Sequence, residues 1–332
     1  MIEEQLAAYL STRWDEPVRV ENLRRFHGGA ARETYRFDAV TQGGTHGLVL
    51  RRDPPSSLIE TDRRIEFQAL AAFHGSDVPV PEPLFIETEA DAFGAPGLLM
   101  REIPGVRAAG LFEAAPYGEE RGQVGEEMFT ILGRIHARDT FAVADVLEAP
   151  APEDAWRARL DHWRRAAEAD ALGPEPILWA GFRWLERNPP PPPERVAIVH
   201  GDYRSGNFLV DEANHIRAVV DWEMVHLGDP LEDLAWAIDP LWSHGTPDRP
   251  AGTVPEAEAI ALWERASGLR ADPERLRWWR VFAQVMGLAI WISSAREVAE
   301  GRSIDPVMVF SSFFPYRFHN RTLAATLRSL AA

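Results

Sequence analysis

The chain has no cysteine among its 332 residues. Disulfides, thiolate zinc sites and cysteine nucleophiles are therefore excluded together. Positive charge is scarce beside negative: 35 basic residues stand against 51 acidic ones, a formal net charge of -16. Such a surface repels phosphate backbones and anionic headgroups, so neither a nucleic acid nor a membrane is an expected partner. Long apolar runs are missing too. The most apolar stretch, VFAQVMGLAIWISS at 281–294, is shorter than the roughly 20 residues that span a bilayer and contains a Gln. It reads as a buried core helix. The first residues, MIEEQLAAYL, carry two acids and no basic run, so no secretory signal is expected and the cytoplasm is the expected compartment.

Apolar residues, by contrast, are plentiful. They make up 45% of the chain, with 12 Trp and 16 Phe, which excludes a disordered chain and gives ample material for a core. The texture changes along the sequence. After a short amphipathic helix, VRVENLRRFHGGAARETYRFDAV and HGLVLRRD alternate as strands around glycine turns. SLIETDRRIEFQALAAFHGS has helical period, and VPVPEPLFIET and GLLMREIPG read as further strands. Beyond Gly105 long helical segments dominate, and PPPPP at 189–193 reads as a rigid spacer ahead of the strand RVAIVHGD. The expected fold is α+β and bilobal: a small antiparallel β lobe over residues 1–103, then a larger, mainly helical lobe over 104–332.

Chemistry concentrates in IVHGDYRSGNFLVD (198–211) and in NHIRAVVDWE downstream. Asp202, Asn207 and Asp221 are expected at the ends of short buried strands. One amide and one carboxylate suit Mg²⁺, a hard cation that keeps waters and shares phosphate oxygens. A second carboxylate held off the metal can take a hydroxyl proton. That set is what phosphoryl transfer requires, because positioning and charge neutralisation supply nearly all of its catalysis.

HGDYRSGN followed by DWE resembles the aminoglycoside phosphotransferase and choline kinase family, within the protein-kinase-like fold. LVLRRDPP and EFQALAAFHGSDVPVPEPL look closer to phosphotransferase domains associated with acyl-CoA dehydrogenases. The resemblance implies Asp202 as catalytic base, Asn207 and Asp221 as Mg²⁺ ligands, and ATP or GTP as co-substrate. It places His200 as a structural member of the loop, and Asp233, in GDPLEDLAWA, as a support for the loop backbone. Arg204 stands where its charge can stabilise the transferring phosphoryl group; the alternative is an arginine paired with an acid. In the first lobe the resemblance assigns Gly28 and Gly29 to a phosphate-covering turn, Arg51 to the phosphates, and Glu66 to holding Arg51. It gives the backbone of Arg101 and Ile103 to the adenine edge, with Met100 lining the pocket. Arg51 departs from the lysine usual in the family; arginine keeps the charge but is bulkier and not interchangeable.

The expected acceptor is a hydroxyl of a small molecule, either a hydroxyacyl-type metabolite or an antibiotic. An aminoglycoside would need carboxylates, for which Glu153, Asp154, Asp161 and Glu168 are candidates. Two other readings use the same residues. Arg51 in place of lysine would suit a kinase-like module that binds nucleotide without turnover. His200, Asp202 and Asp221 could serve a metal-dependent hydrolase, which leaves the first lobe unexplained.

Overall fold

The computed structural model of the chain describes residues 2–26, 33–53, 62–89, 92–110 and 113–331. It opens with helix α1 (Ile2–Trp14), then β1 (Arg19–Phe26), β2 (Glu33–Thr41), β3 (Gly44–Arg52), α2 (Arg63–Phe73), β4 (Pro83–Glu87) and β5 (Gly97–Arg101). The five strands form one antiparallel sheet in the order β1-β2-β3-β5-β4. Period-two alternation decides what each face carries. Phe37, Ala39, Leu48, Leu50 and Leu99 face α1 and close over Leu6 and Leu10 in a small separate core. Val49, Leu98 and Met100 face the other way, into the main core. Arg51 shares their side, and Arg52 turns back toward Glu33, Tyr35 and the Phe93 carbonyl.

Helix α2 starts where the Asp62 side chain accepts from Arg64 N–H, a cap that satisfies an otherwise orphaned donor. Its buried positions are Arg63, Glu66, Ala69, Leu70 and Phe73, one stripe at helical spacing. Burial of Leu70 and Phe73 stabilises the contact by about 1.5–3 kcal/mol each. It also carries Glu66 inward.

The rest is mainly helical: α3 (Arg121–Ala137), α4 (Ala155–Asp170), α5 (Pro176–Arg187), then the short strands β6 (Ala197–Val199), β7 (Phe208–Val210), β8 (Ile216–Val219) and β9 (His226–Gly228). These are followed by α6 (Leu231–Ala237), α7 (Glu256–Ser267), α8 (Pro273–Ala299), α9 (Pro306–Ser311) and α10 (Phe314–Ala331). The apolar stretch at 281–294 lies inside α8, which is buried along most of its length. No helix among the described residues is long and apolar enough to cross a membrane. Most of the tryptophans are core: Trp156, Trp163, Trp263, Trp278, Trp279 and Trp291 are all buried.

The short strands pair in two separate ladders. The strand β6 pairs with β9, three residues from 226 to 228, and β7 pairs with β8. His-Leu-Gly is too short and too mixed to announce a strand by period, and only tertiary pairing makes it one.

Candidate active site

The loop 200–207 runs between β6 and β7, and its backbone is held from beneath by one buried carboxylate. Asp233, on α6, accepts from His200 N–H at 2.6 Å and from Gly201 N–H at 2.9 Å. His136 reaches the same carboxylate through Nε2 at 3.2 Å, while its Nδ1 accepts from the Trp263 indole at 2.8 Å. The indole only donates, so the His136 proton sits on Nε2 and points at Asp233. Burial alone would push the Asp233 carboxyl up; His136, His200 and the Gly201 N–H outweigh it and hold it below its ordinary value. Gly201 itself is required. Its φ is +88°, and a Cβ there would stand 2.4 Å from the Met224 carbonyl oxygen.

His200 is fully buried. Nδ1 accepts from Asp202 N–H at 3.2 Å, and Nε2 donates to the Val220 carbonyl at 3.1 Å. Burial is the largest influence and pushes this imidazole down, so it stays neutral and ties the loop to the residue before Asp221. Its ring lies 4.6 Å from Trp222, which in turn packs on Phe73 of α2.

Asp202 then projects from a fixed backbone. Asn207 Nδ2 donates to its Oδ2 at 2.7 Å and to its carbonyl at 2.8 Å. Arg204 Nε lies 3.1 and 3.2 Å from the two carboxylate oxygens, with its guanidinium over the Trp242 ring. Arg204 is thus ion-paired with the acid two residues before it in this state.

Arg51 reaches down from β3 into a nest of carboxylates. It donates to Glu66, and to Asp221 at 2.5 Å, with Glu223 at 3.7 Å. Glu66 is also held by Arg63, which is itself buried and bonded to Asp53. Burial disfavours the Arg51 charge, but Glu66, Asp221 and Glu223 overcome it and keep the guanidinium charged. Burial likewise pushes Asp221 up, and Arg51, with Arg204 and His200, brings it below the usual carboxylate range. Asp221 has φ 69° and ψ 51°, a left-handed conformation costing a non-glycine residue roughly 1–2 kcal/mol. Strain of that kind clusters at functional sites.

Between the sheet and the loop lies a cavity of about 350 Å³. Arg51, Glu66, Met100, Arg101, Ile103, Asn207 and Asp221 all line it, with Val49 above and Leu209 below. Arg101 N–H donates to the Glu82 carbonyl, which leaves the carbonyl as the only backbone group of Arg101 open to a ligand edge. Ile103 N–H has no backbone partner among the described residues. Gly28 and Gly29 lie outside the described residues.

The donor set suits a hard cation shared with a ligand. With Asn207 Nδ2 donating twice to Asp202, its amide oxygen is the atom left to face a cation, beside the Asp221 carboxylate. Among the described residues no cluster of three or more His, Cys, Asp or Glu could hold a metal unaided. The hydrolase reading needs such a cluster.

Three partners were not found from sequence. Trp236 donates its indole N–H to Asp202 Oδ1 at 2.7 Å, Arg63 braces Glu66, and Glu223 adds to the charge around Arg51. A signal existed for Arg51 as well. The chain contains no lysine, so all 35 of its basic residues are arginine and Arg51 follows the whole composition.

A second cavity, about 400 Å³, has no loop residue in its lining and is linked to the loop through His244. Pro240, Leu241, Pro247, Phe314 and Phe318 form its walls, with Glu113, Ser243 and His244 at the polar end. His244 Nδ1 donates to the Glu113 carbonyl at 2.9 Å, and its Nε2 accepts from the Ser205 hydroxyl at 3.0 Å. Glu153, Asp154, Asp161 and Glu168 are exposed and line neither cavity. A larger open groove of about 720 Å³, between the 76–79 loop, α3 and β8, holds none of the predicted residues.

Comparison with known proteins bears on this arrangement. Acyl-CoA dehydrogenase family member 11 of Gallus gallus is 28% identical over 227 residues, covering 67% of this chain and 28% of that protein. The chain thus spans little more than a quarter of that relative's length. A candidate aminoglycoside phosphotransferase from Ralstonia eutropha has a TM-score of 0.75 at 20% identity, with 98% of each chain covered. A thermostable mutant of an aminoglycoside phosphotransferase, in ternary complex with AMP-PNP and hygromycin B, has a TM-score of 0.58 at 18% identity, again with 98% of each covered. At those identities the likeness to solved structures is one of fold, and it is the α+β kinase-like fold. The phosphotransferase enzyme family model, APH, matches residues 22–279. With most of its length matched in this way, the chain belongs to the phosphotransferase enzyme family.

Proposed function

We propose that the chain is a Mg²⁺-dependent kinase that moves the γ-phosphoryl group of ATP or GTP to a hydroxyl of a small molecule. Residues 1–103 form the nucleotide-binding lobe, and residues 104–332 carry the catalytic loop and the acceptor site. The observation that carries this reading is the single cavity lined by Arg51, Glu66, the 100–103 backbone, Asn207 and Asp221, with Asp202 bonded to Asn207 at 2.7 Å.

The base lies between Val49 and Leu209, with the Arg101 carbonyl and Ile103 N–H on its edge. Arg51, fixed by Glu66, turns from Asp221 to the phosphates. Asn207 and Asp221 would hold Mg²⁺, which would supply charge neutralisation to the phosphates. The acceptor oxygen attacks the γ-phosphorus, forming one P–O bond as the bond to the nucleoside diphosphate breaks. Its proton passes to Asp202. Arg204 leaves Asp202 for an equatorial oxygen of the phosphoryl group.

The second cavity supports an acceptor with an apolar portion, as a hydroxyacyl-type metabolite has, since its walls are proline, leucine and phenylalanine. A polycationic antibiotic fits it poorly: Glu113 is the one carboxylate among its described lining residues. A module without turnover rested on Arg51, and a chain without lysine removes that support.

Nucleoside diphosphate release, measured against hydroxylated metabolites with Mg²⁺ and ATP or GTP, tests the reading. Asp202→Ala is expected to keep nucleotide binding and lose roughly 10²–10⁴-fold in turnover. Full transfer by that variant would overturn the assignment of the base.

A further inference from the structure

We infer that Trp236 is a positioning residue for Asp202, fixing the plane of its carboxylate from outside the catalytic loop. Trp236 lies on α6 and is 1% exposed. Its indole N–H meets Asp202 Oδ1 at 2.7 Å, while Asn207 Nδ2 meets Oδ2 at 2.7 Å. Each carboxylate oxygen therefore has its own donor, one from a helix and one from the loop. Arg204 bridges both oxygens more loosely, at 3.1 and 3.2 Å.

The division matters because Arg204 has a second task in the proposed reaction, on which this step of the inference rests. If Arg204 alone oriented Asp202, its departure toward a phosphoryl oxygen would free the carboxylate to rotate. With Trp236 and Asn207 in place, the base keeps its orientation when Arg204 leaves. An indole suits this role: it is rigid, and it donates without accepting, so it cannot exchange its bond for one to the substrate hydroxyl proton.

The ring is itself immobilised. It packs edge-on against Trp242 at 5.1 Å, and Trp242 presents its face to the Arg204 guanidinium at 4.8 Å. Behind it, His319 of α10 lies 6.0 Å away, bonded through Nε2 to Asp239 at 3.1 Å and receiving the Trp291 indole on Nδ1 at 3.0 Å. Asp239 caps the turn that follows α6 by accepting from Leu241 N–H. The two aromatics thus mount both members of the Asp202–Arg204 pair.

Simple packing is the competing account, and Trp236→Phe separates the two because it keeps the ring and removes the donor. The first measurement is the ¹⁵N-indole NMR spectrum of the full chain without ligands. The resonance absent from Trp236→Phe should move in Asp202→Asn, and no movement would overturn the inference whether or not the protein is a kinase. The second is nucleoside diphosphate release from Mg·ATP with water as acceptor. Loss of one donor to a charged oxygen predicts kcat down about tenfold with KM for ATP within twofold. A Trp236→Phe protein with the wild-type Tm and unchanged kcat would also overturn it.

Discussion

Asp233→Asn is the most exacting test of how the catalytic loop is built. The substitution is nearly isosteric, so packing is preserved and only hydrogen bonding changes. Asp233 accepts three donors: His200 N–H and His136 Nε2–H on Oδ2, and Gly201 N–H on Oδ1. An asparagine can present its oxygen to one side alone. The better choice keeps the two donors on that side and turns an NH₂ group toward the Gly201 N–H. One charge-assisted bond is then lost, the two others weaken, and a buried N–H is left facing a donor. A hydrogen bond to a charged group contributes about 1.5–3 kcal/mol and an orphaned buried donor costs about 1–3 kcal/mol, so the expected loss is about 3–5 kcal/mol. His136 cannot relieve the conflict by moving its proton, because Nδ1 receives the Trp263 indole. Equilibrium denaturation by urea at pH 7 measures the loss. Repeating it at lower pH adds a sign. The native Asp233 carboxyl lies below its ordinary value, so its contribution is complete above about pH 4 and disappears as pH falls through the native value. The difference between wild type and Asp233→Asn should therefore shrink in acid. A loss under about 1 kcal/mol at pH 7, or one that grows in acid, would refute this account of the loop.

Two further outcomes follow from the same geometry. Arg51→Lys restores the residue usual in the family but replaces a fork by a point charge, so it should hold Glu66 or Asp221 and not both; a stability loss of about 1–2 kcal/mol and a several-fold rise in nucleotide KM are expected. Thermal unfolding and steady-state kinetics check it, and a variant as stable and active as wild type would show that the fork is dispensable. Gly133→Ala should cost about 1–3 kcal/mol, because a Cβ there would lie 2.5 Å from Ala266 Cβ and 2.9 Å from the Trp263 carbonyl, where α3 crosses α7. Gly122→Ala, with nothing within 4 Å on the same helix, is the control and should be neutral or slightly stabilising in the same melt.

Much of this architecture was legible because it is local. HGLVLRRD alternates as a strand, and in β3 that period puts Val49 and Arg51 on one face and Leu50 on the other. The motif spacing grouped Asp202, Asn207 and Asp221; in the structure Asn207 and Asp221 line one cavity, and Asp202 is hydrogen-bonded to Asn207. What stayed hidden needed distant partners. Trp236 is 34 residues from Asp202, and Trp263 is 127 from His136. In the sequence each is one more core tryptophan, and nothing marks which indole N–H finds an acid. The β6–β9 pairing was hidden for the same reason, since its strands are three residues long and carry no period.

Polar links add to the apolar core where residues 1–103 meet the rest of the chain, since the main core already runs from Leu70, Phe73, Leu98 and Met100 into the helical region. Val219 N–H donates to the Pro79 carbonyl across that boundary, and Arg107 and Val210, both beyond it, exchange a pair of backbone bonds at 2.9 Å. Arg51 joins β3 to Asp221, and Phe73 joins α2 to Trp222 and through it to His200. The backbone links and the aromatic stack hold the registry. The Arg51–Asp221 pair is of another kind, since its partners are the residues proposed to meet a nucleotide and its cation. In the proposed reaction, loading the cleft exchanges that ion pair for bonds to phosphate and metal. In that reading the contact that changes is the one between the residues proposed to touch the substrate.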